Sequence, residues 1–441
     1  MNIYDSNRML DILKPLGYAA IENADDADIV ILNTCHIREK AEEKVYSDLG
    51  RIKPFKEKKN AEGGQMLIGV AGCTAQAVGD ELLKQAPYID MIFGPQTYHR
   101  LPEMIAKLTR LKAKNRKATI LDVEFPTEAK FDLLPNPTPT NMNGSSALVS
   151  IQEGCDKFCT FCVVPYTRGA EYSRSVEQIL NEIDQFAEMG VKEITLLGQN
   201  VNAYHGTDSK GQEWNLGRLI FKIAEKSAIK RIRYMTSHPN DMHKELYEAH
   251  QSVEKLMPFL HLPVQSGSDI LLKSMNRKHT RDDYFKMIDL LRSLRPDLAV
   301  SSDFIVGFPG ETDKDFQDTI DLITQVNFAQ AYSFKYSIRP GTPAGLMETQ
   351  IPEELKAERL SYLQSILLKQ QMDFNLSFVG KELDVLFERD GKHEGQILGK
   401  SPYLQSVFVK GAERLKGHIL KTKITQANQN GLAGELVLVH D

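Results

Sequence analysis

Apolar positions recur along this chain with two alternating periods, and the alternation predicts successive blocks of structure. In the first block Met9, Leu10, Ile12, Leu13 and Leu16 share one face of a helix that Asp5-Ser6 can cap. The run Asp28-Ile-Val-Ile-Leu-Asn33 has the length and β-branched content of a buried strand, as do Met66 to Ala71 and Met91-Ile-Phe93. A charged helix over 37–49, a helix near 76–86 and another after Gly94-Pro95 separate and follow these strands. Such alternation predicts a Rossmann-like α/β domain with a parallel sheet over residues 1–125. It opens on a helix where a strand would normally come first. Residues 126–146, with Pro126, Pro135, Pro137, Pro139, Gly144, Ser145 and Ser146, read as a linker.

The pattern then resumes. Strands are predicted at 147–152, 192–197, 231–236, 256–262, 298–304 and 330–335, with amphipathic helices between them. The clearest helix is 176–188, with Val176, Ile179, Leu180, Ile183, Phe186 and Ala187 on one face and Ser175 and Gln178 as a capping box. Six βα units suit an open, partial barrel over 147–376, whose chemistry would sit at the carboxyl ends of the strands. A long helix at 352–376 leads to strands at 385–387, 403–410, 418–424 and 435–439, a small β-barrel over 377–441.

Composition narrows the class. With 441 residues, a net charge of −5, 41% hydrophobic and 26% charged residues, the chain is an ordinary globular one, not collagen-like, disordered or a disulfide scaffold. No apolar run reaches the roughly 20 residues that span a bilayer. Met1-Asn2-Ile3-Tyr4-Asp5 lacks the basic-then-apolar order of a signal peptide. The expectation is a cytoplasmic, monomeric protein without a membrane partner, whose five cysteines are reduced thiols serving metal binding or catalysis. Basic character is local. Lys107, Arg110, Lys112, Lys114, Arg116 and Lys117 read either as a solvated helix end or as a phosphate-facing patch. Lys400, Lys410, Arg414, Lys416, Lys421 and Lys423 stand against the single acid Glu413 within 396–430, which on a small β-barrel points to nucleic acid, or else to a solvated surface.

The sharpest chemistry is Cys155-Asp-Lys-Phe-Cys159-Thr-Phe-Cys162, directly after the first barrel strand. Three thiolates on one tight loop can hold three irons of a [4Fe-4S] cluster and leave the fourth iron open. Structural zinc would want four closed ligands, and no nearby Cys or His completes such a set. An open iron is what a cluster needs if it must bind and reduce a substrate.

This triad resembles that of the radical S-adenosylmethionine enzymes. Further motifs resemble the methylthiotransferases among them, in the bacterial branch that acts on tRNA. They are Asn33-Thr-Cys35 with Ile37-Arg-Glu-Lys-Ala-Glu-Glu-Lys-Val45, Gly72-Cys73, Phe93-Gly-Pro-Gln-Thr97, Val164-Pro-Tyr-Thr-Arg-Gly169 and Leu197-Gly-Gln-Asn-Val-Asn202. Thr236-Ser-His-Pro239, His261-Leu-Pro-Val-Gln-Ser-Gly-Ser268, Ser301-Ser-Asp-Phe-Ile-Val-Gly-Phe-Pro-Gly-Glu311 and Arg339-Pro-Gly-Thr-Pro343 continue the match, and the last segment is similar to an RNA-binding TRAM domain. The resemblance implies that S-adenosylmethionine chelates the open iron through its amino and carboxylate groups. It implies a reaction in which the hydrogen on carbon 2 of a prenylated adenosine, just 3′ of the anticodon, is replaced by methylthio. It further implies tRNA as partner, a flavodoxin or ferredoxin as electron donor, and an auxiliary [4Fe-4S] cluster in the first domain. Relatives that modify threonylcarbamoyl-adenosine in tRNA or a ribosomal-protein aspartate are the nearest alternatives. A non-catalytic RNA-binding iron–sulfur protein is the alternative of another class.

Site residues follow from the same placement. Cys155, Cys159 and Cys162 would hold the radical cluster. Gln199 and Asn200 after the second strand, Ser237 after the third, Gln265 and Ser266 after the fourth and Ser302 and Asp303 at the end of the fifth are expected cofactor contacts, with loop hydrogen bonding as the alternative. Gly307 to Gly310 would let backbone approach adenine. Arg168 and Arg174 read as partners of a carboxylate or phosphate, or as structural ion pairs; Tyr166 as stacking or core; His36, His99, His238, His261 and His279 as structural. Cys35 and Cys73 would hold the auxiliary cluster. The family's pattern has a third cysteine there, in a Gly-Cys-Gln-Met-Asn motif closing an initial strand. Met1-Asn2 aligns with the end of that motif, so incomplete auxiliary ligation is expected of the chain as given.

Overall fold

The first apolar runs become β1 (Ile29–Thr34), β2 (Leu67–Gly72) and β3 (Met91–Phe93), joined by β4 (Ile120–Asp122) in one parallel sheet in that order. The structure, a computed structural model, describes residues 1–441 except 37–38, 115, 117, 139–144, 412 and 438–441, and the side chains of 39–42. Lys117 of the basic run, 139–144 of the expected linker, Ile37-Arg38 of the quoted motif and the end of the expected last strand therefore lie outside the described residues. Helices α1 (Asn2–Leu13), α2 (Glu39–Ala61), α3 (Cys73–Gln85) and α4 (Leu101–Ala113) complete this layer. Met9, Leu13, Leu101, Met104 and Leu108 pack in one cluster with Leu67 and Met91, while Val45, Leu49, Ile52 and Leu82 pack in another with Ile68 and Ile92. That is the two-sided burial a parallel sheet requires.

Three local expectations change. Asp5 does not cap α1, which has Met1 at its N-cap; Asp5 is buried inside the helix and paired with Arg168 at 2.7 Å. Helix α2 continues past 49 because Ile52 extends the buried stripe of Val45 and Leu49, and Lys56 then reaches Asp90 at 2.5 Å. Strand β4 was not predicted, because its three residues are not fully buried as those of β3 are and they follow a basic, polar run.

The chain falls into two compact units. One comprises Met1–Asn141, Glu153–Asp156 and Cys162–Glu171, and the other Met142–Gln152, Lys157–Phe161 and Tyr172–Asp441. Glu153 and Arg168 belong with the first unit because buried ion pairs hold them there: Lys130 to Glu153 at 2.7 Å, Arg168 to Glu153 at 3.0 Å and Arg168 to Asp5 at 2.7 Å.

In the second unit β5 (Ser146–Ser150), β6 (Glu193–Leu197) and β7 (Arg231–Met235) form one parallel sheet, and β8 (Phe259–His261), β9 (Ala299–Val306) and β10 (Gln330–Lys335) form another. A single parallel bridge between Ile232 and Leu256 joins them, so six strands make one open, partial barrel, as the six predicted runs implied. The predicted helix is Val176–Glu188, and Ser175 accepts the Gln178 N–H at its start.

After the helix Glu353–Leu376, five strands close a small barrel: β11 (Glu382–Asp390), β12 (Gln396–Lys400), β13 (Ser406–Lys410), β14 (Ile419–Asn428) and β15 (Gly431–Leu436). Strand β12 was not predicted, and the last strand begins earlier than expected, because β15 pairs back on β14 directly after a tight turn. This barrel is seated on the amino ends of β5 to β7. Arg231 donates to the carbonyls of Lys400 (3.0 Å) and Asp384 (2.5 Å), and Arg233 to those of Pro402 and Ser401, both at 2.8 Å. Glu193 lies 3.1 Å from Arg233, buried with it.

Candidate active site

The chain leaves β5 through Gln152 and Glu153 into the cysteine loop. Gly154 has φ +74°, and a Cβ there would lie 2.0 Å from the Ala170 carbonyl oxygen. Only glycine lets this strand end turn so closely against 169–170, where the Cys155 N–H donates to Gly169 at 3.4 Å. Farther along, Phe158 takes φ +48°, an uncommon conformation for a residue with a side chain. Residues 274–277 over-determine that turn. Asn276 donates to the carbonyls of Lys157 (3.1 Å) and Phe158 (3.0 Å), and the Thr160 N–H donates to Met275 at 3.1 Å.

Arg277 completes this clamp. One guanidinium nitrogen lies 3.6 Å from the Cys159 sulfur and another donates to the Pro263 carbonyl at 2.5 Å. A buried cation beside one thiol of the motif suits an anionic ligand. Sequence reading missed it, since 118 residues separate Arg277 from Cys159 and no spacing rule connects them.

The zinc alternative would need side chains converging on a single ion. Among the described residues no three Cys, His, Asp or Glu side chains do so. A four-iron cluster asks something different, because each thiolate takes its own iron. The donor set of the loop, three thiols of which Cys159 is buried and Cys155 and Cys162 half-buried, fits that requirement.

Polar groups collect at the carboxyl ends of the barrel strands. The N–H groups of Gln199 and Asn200 both donate to the Gln152 side-chain oxygen, at 2.9 and 3.1 Å. The Asn200 amide donates to Asp241 at 2.8 Å, and Asp241 pairs with Lys157 at 2.7 Å. Asn200 Oδ1 and Ser237 Oγ are buried with no partner among the described residues. So are Nε2 of His238 and of His279, whose rings stand 6.1 Å apart. Burial, with Arg277 nearby, lowers the pKa of His238 to about 2 and that of His279 to about 4, so both rings are neutral at pH 7. His238 Nδ1 accepts the Asn240 N–H, which leaves Nε2 to carry the proton. Buried polar atoms normally find partners. Several without one, grouped at the strand ends, fit a polar ligand such as S-adenosylmethionine.

Other expected contacts are arranged differently. Gln265 sits at φ +78°, its N–H and carbonyl bridging to Asp303 and Ile305. Ser302 uses its hydroxyl internally, accepting from the Val264 N–H and donating to the Leu262 carbonyl. Ser266 is likewise engaged with Thr319. Asp303 is half-buried, 3.6 Å from the His261 ring. Gly307 has φ +69°, which favours glycine, and the space that a Cβ there would need is taken by Lys356, at 2.3 Å. Arg168 and Arg174 are structural: the first pairs with Asp5 and Glu153, the second with Glu182 at 2.6 Å. Tyr166 is exposed and not core. Trp214 donates to Asp208 at 3.1 Å and stacks under Arg218.

In the first unit, Thr34 of β1 is register-paired with Gly72 of β2, so Cys35 and Cys73 leave adjacent strands side by side. A Cβ on Gly72 would lie 2.4 Å from the Thr34 carbonyl, which makes glycine obligatory before Cys73. Cys73 opens α3, and Thr74 ties the turn by donating to the Cys35 carbonyl at 3.0 Å.

Comparison with known proteins places these features. Family models described as Radical SAM superfamily, Uncharacterized protein family UPF0004 and TRAM domain match residues 149–323, 1–94 and 376–437. The tRNA-2-methylthio-N(6)-dimethylallyladenosine synthase of Maricaulis maris (strain MCS10) is 55% identical over 440 residues, covering 99% of this chain and 95% of that protein. Among solved structures, the radical S-adenosylmethionine methyltransferase TsrM from Kitasatospora setae, with cobalamin and a [4Fe-4S] cluster bound, superposes with TM-score 0.56 at 12% identity, over 78% of this chain and 71% of that one. The cobalamin-dependent radical enzyme OxsB gives TM-score 0.52 at 15% identity, over 83% of this chain and 53% of that one. At such identities these two speak for the fold alone.

Proposed function

Because the chain belongs to the tRNA-2-methylthio-N6-dimethylallyladenosine synthase family of radical S-adenosylmethionine enzymes, we propose that it exchanges the hydrogen on carbon 2 of N6-dimethylallyladenosine, beside the anticodon in tRNA, for a methylthio group. An aromatic C–H of this kind is beyond the reach of side-chain bases at neutral pH. When bound, the cluster and S-adenosylmethionine supply the one-electron chemistry; the protein's work is to bind, orient and exclude water.

In this reading Cys155, Cys159 and Cys162 are the three cluster ligands and Arg277 positions Cys159. Asn200, Ser237, Gln265 and Asp303 offer polar atoms to S-adenosylmethionine, with Gln199 and Ser302 shaping the strand ends and Gly307 fitting under Lys356. The neutral His238 can donate from Nε2, and the neutral His279, whose Nδ1–H donates to the Thr280 carbonyl, can accept at Nε2, neither adding charge. Cys35 and Cys73 hold an auxiliary cluster associated with the sulfur. A flavodoxin or ferredoxin delivers the electron, and the setting is the cytoplasm. Among the described residues no helix is long and apolar enough to cross a membrane. The target base must leave its stack to be reached, which anticodon loops allow.

The observation that carries this reading is a three-thiol loop leaving a barrel whose strand ends hold buried polar atoms without partners. The test is anaerobic reconstitution with iron and sulfide, then S-adenosylmethionine, reductant and prenylated tRNA, with nucleoside mass spectrometry. Methylthiolated dimethylallyladenosine and 5′-deoxyadenosine are the expected products. Modification of threonylcarbamoyl-adenosine or of a ribosomal-protein aspartate in place of the prenylated base overturns the substrate assignment.

A further inference from the structure

At the amino ends of β3 and β4, the sheet edge opposite Cys35 and Cys73, lies a cavity of about 500 Å³. It is lined by Lys53, Lys56, Lys112 and Arg116, against only two acids, Asp90 and Glu57, with Tyr88 and Asn60 between them. The charges are sorted by depth. Asp90 sits at the base, 2.5 Å from Lys56 and 2.9 Å from Lys112, and also accepts the Ile68 N–H at 2.7 Å. The outer cations are freer. Lys53 is exposed, over the Tyr88 ring at 5.4 Å and 3.7 Å from an equally exposed Glu57. Arg116 is exposed and makes no ion pair with a described residue. The exposed Lys107, Arg110 and Lys114 extend the same basic run along the end of α4.

We propose that this cavity is a docking site for the RNA backbone, distinct from the reacting centre, where Lys53 and Arg116 take phosphates and a base or ribose lies against Tyr88. Cations interleaved with an aromatic ring are the chemistry of nucleic-acid grooves, whereas a site for inorganic phosphate has no use for the ring. Distance separates it from the chemistry. β2 is six residues long, roughly 20 Å at a strand's usual rise, so one bound nucleotide cannot touch both ends of the sheet. The ligand must be extended, which a tRNA is. The proposal rests on the tRNA reading above and adds a second grip on the same molecule.

The experiment uses the full-length reconstituted enzyme and measures tRNA affinity against salt concentration. A Lys53→Gln/Arg116→Gln double variant should bind tRNA about tenfold more weakly at low salt. Its slope of log affinity on log salt should be shallower by about 1.5, because two phosphates are no longer neutralised. Tyr88→Leu should weaken binding several-fold with the slope unchanged. 5′-Deoxyadenosine formation without tRNA, and iron content, should match the parent in both. Unchanged affinity and slope in the double variant overturns the proposal. So does saturable binding of pyrophosphate to the cavity that Lys53→Gln/Arg116→Gln abolishes while tRNA binding stays intact. Were the tRNA reading itself at fault, parent and variants alike would fail to modify tRNA; were only this docking site at fault, all would modify it with the same KM.

Discussion

At the amino ends of the barrel strands Arg231, Arg233 and Glu193 are buried, and the two guanidinium groups end on four backbone carbonyls of the small barrel. Asn200 Oδ1, Ser237 Oγ and His238 Nε2 at the carboxyl ends of the same strands, and Nε2 of His279 beside His238, are also buried, yet have no partner among the described residues. Both ends therefore carry the desolvation cost of polar groups. At one end intramolecular bonds offset it, and at the other, on the reading proposed above, a ligand does. The difference separates what holds the second unit together from what it does. It predicts that substitutions at the two ends move different observables.

The largest effect is expected at the loop itself. If the three thiols hold the cluster as proposed, Cys155→Ala, Cys159→Ala or Cys162→Ala should abolish 5′-deoxyadenosine formation, with circular dichroism unchanged. Parent-level 5′-deoxyadenosine from the triple variant would end the radical assignment.

The opposite end should respond in stability. Arg233→Met leaves Glu193 with its closest partner gone and takes a donor from the Pro402 and Ser401 carbonyls, of which Ser401 keeps the Leu404 N–H. Breaking one side of such a buried pair costs about 3–5 kcal/mol, read in urea unfolding. The rate of S-adenosylmethionine cleavage per folded molecule should hold within twofold. A stable variant with abolished cleavage would dissolve the contrast between the ends.

Acid offers a third test. Burial lowers His238 to about 2, His250 to about 3 and His279 to about 4, against an ordinary value near 6.5. A histidine with a depressed folded pKa stabilises the fold fully above its unfolded value. That stability is lost as pH falls below about 6.5, because the unfolded chain binds the proton first. Three such groups give a limiting slope of about 4 kcal/mol per pH unit between pH 5 and 6, approached as each unfolded imidazole becomes fully protonated. His250→Gln, outside the proposed cofactor contacts and paired with Tyr234 at 2.6 Å, should reduce the slope of these three by about a third without altering cofactor affinity. A slope independent of that substitution would show that other groups carry the acid sensitivity.

The smallest effect is at Ser237. Replacing it with Ala removes a hydroxyl that has no partner among the described residues, so stability should change by less than about 0.5 kcal/mol. Affinity for S-adenosylmethionine should fall about fivefold, the worth of one hydrogen bond. Destabilisation without loss of affinity would reassign that hydroxyl to the fold.

Local pattern carried a great deal of this molecule. The spacing of Cys155, Cys159 and Cys162 pointed to an iron–sulfur loop, because three thiols within eight residues are a local constraint, and the family resemblance supplied the reaction. The six barrel strands were legible as well, from apolar runs such as Ile194-Thr-Leu-Leu197 and from alternation such as Arg231-Ile-Arg-Tyr-Met235. Three-residue β4 and Gly-containing β12 were not, because neither is long or apolar enough to stand out. What only the tertiary structure decided concerns partners far apart in sequence. Arg168 and Arg174 could have faced a ligand, and folding turned them to Asp5, Glu153 and Glu182. Ser302 and Asn200 looked alike as strand-end polar residues, yet one hydroxyl is spent on Val264 and Leu262 while the Asn200 oxygen is left open. Arg277 reached Cys159 across 118 residues, and Lys356 filled the space beside Gly307 from a distant helix. Residue type and spacing set which chemistry a side chain can perform; whether it is free to perform it depends on which neighbour folding brings within hydrogen-bond reach.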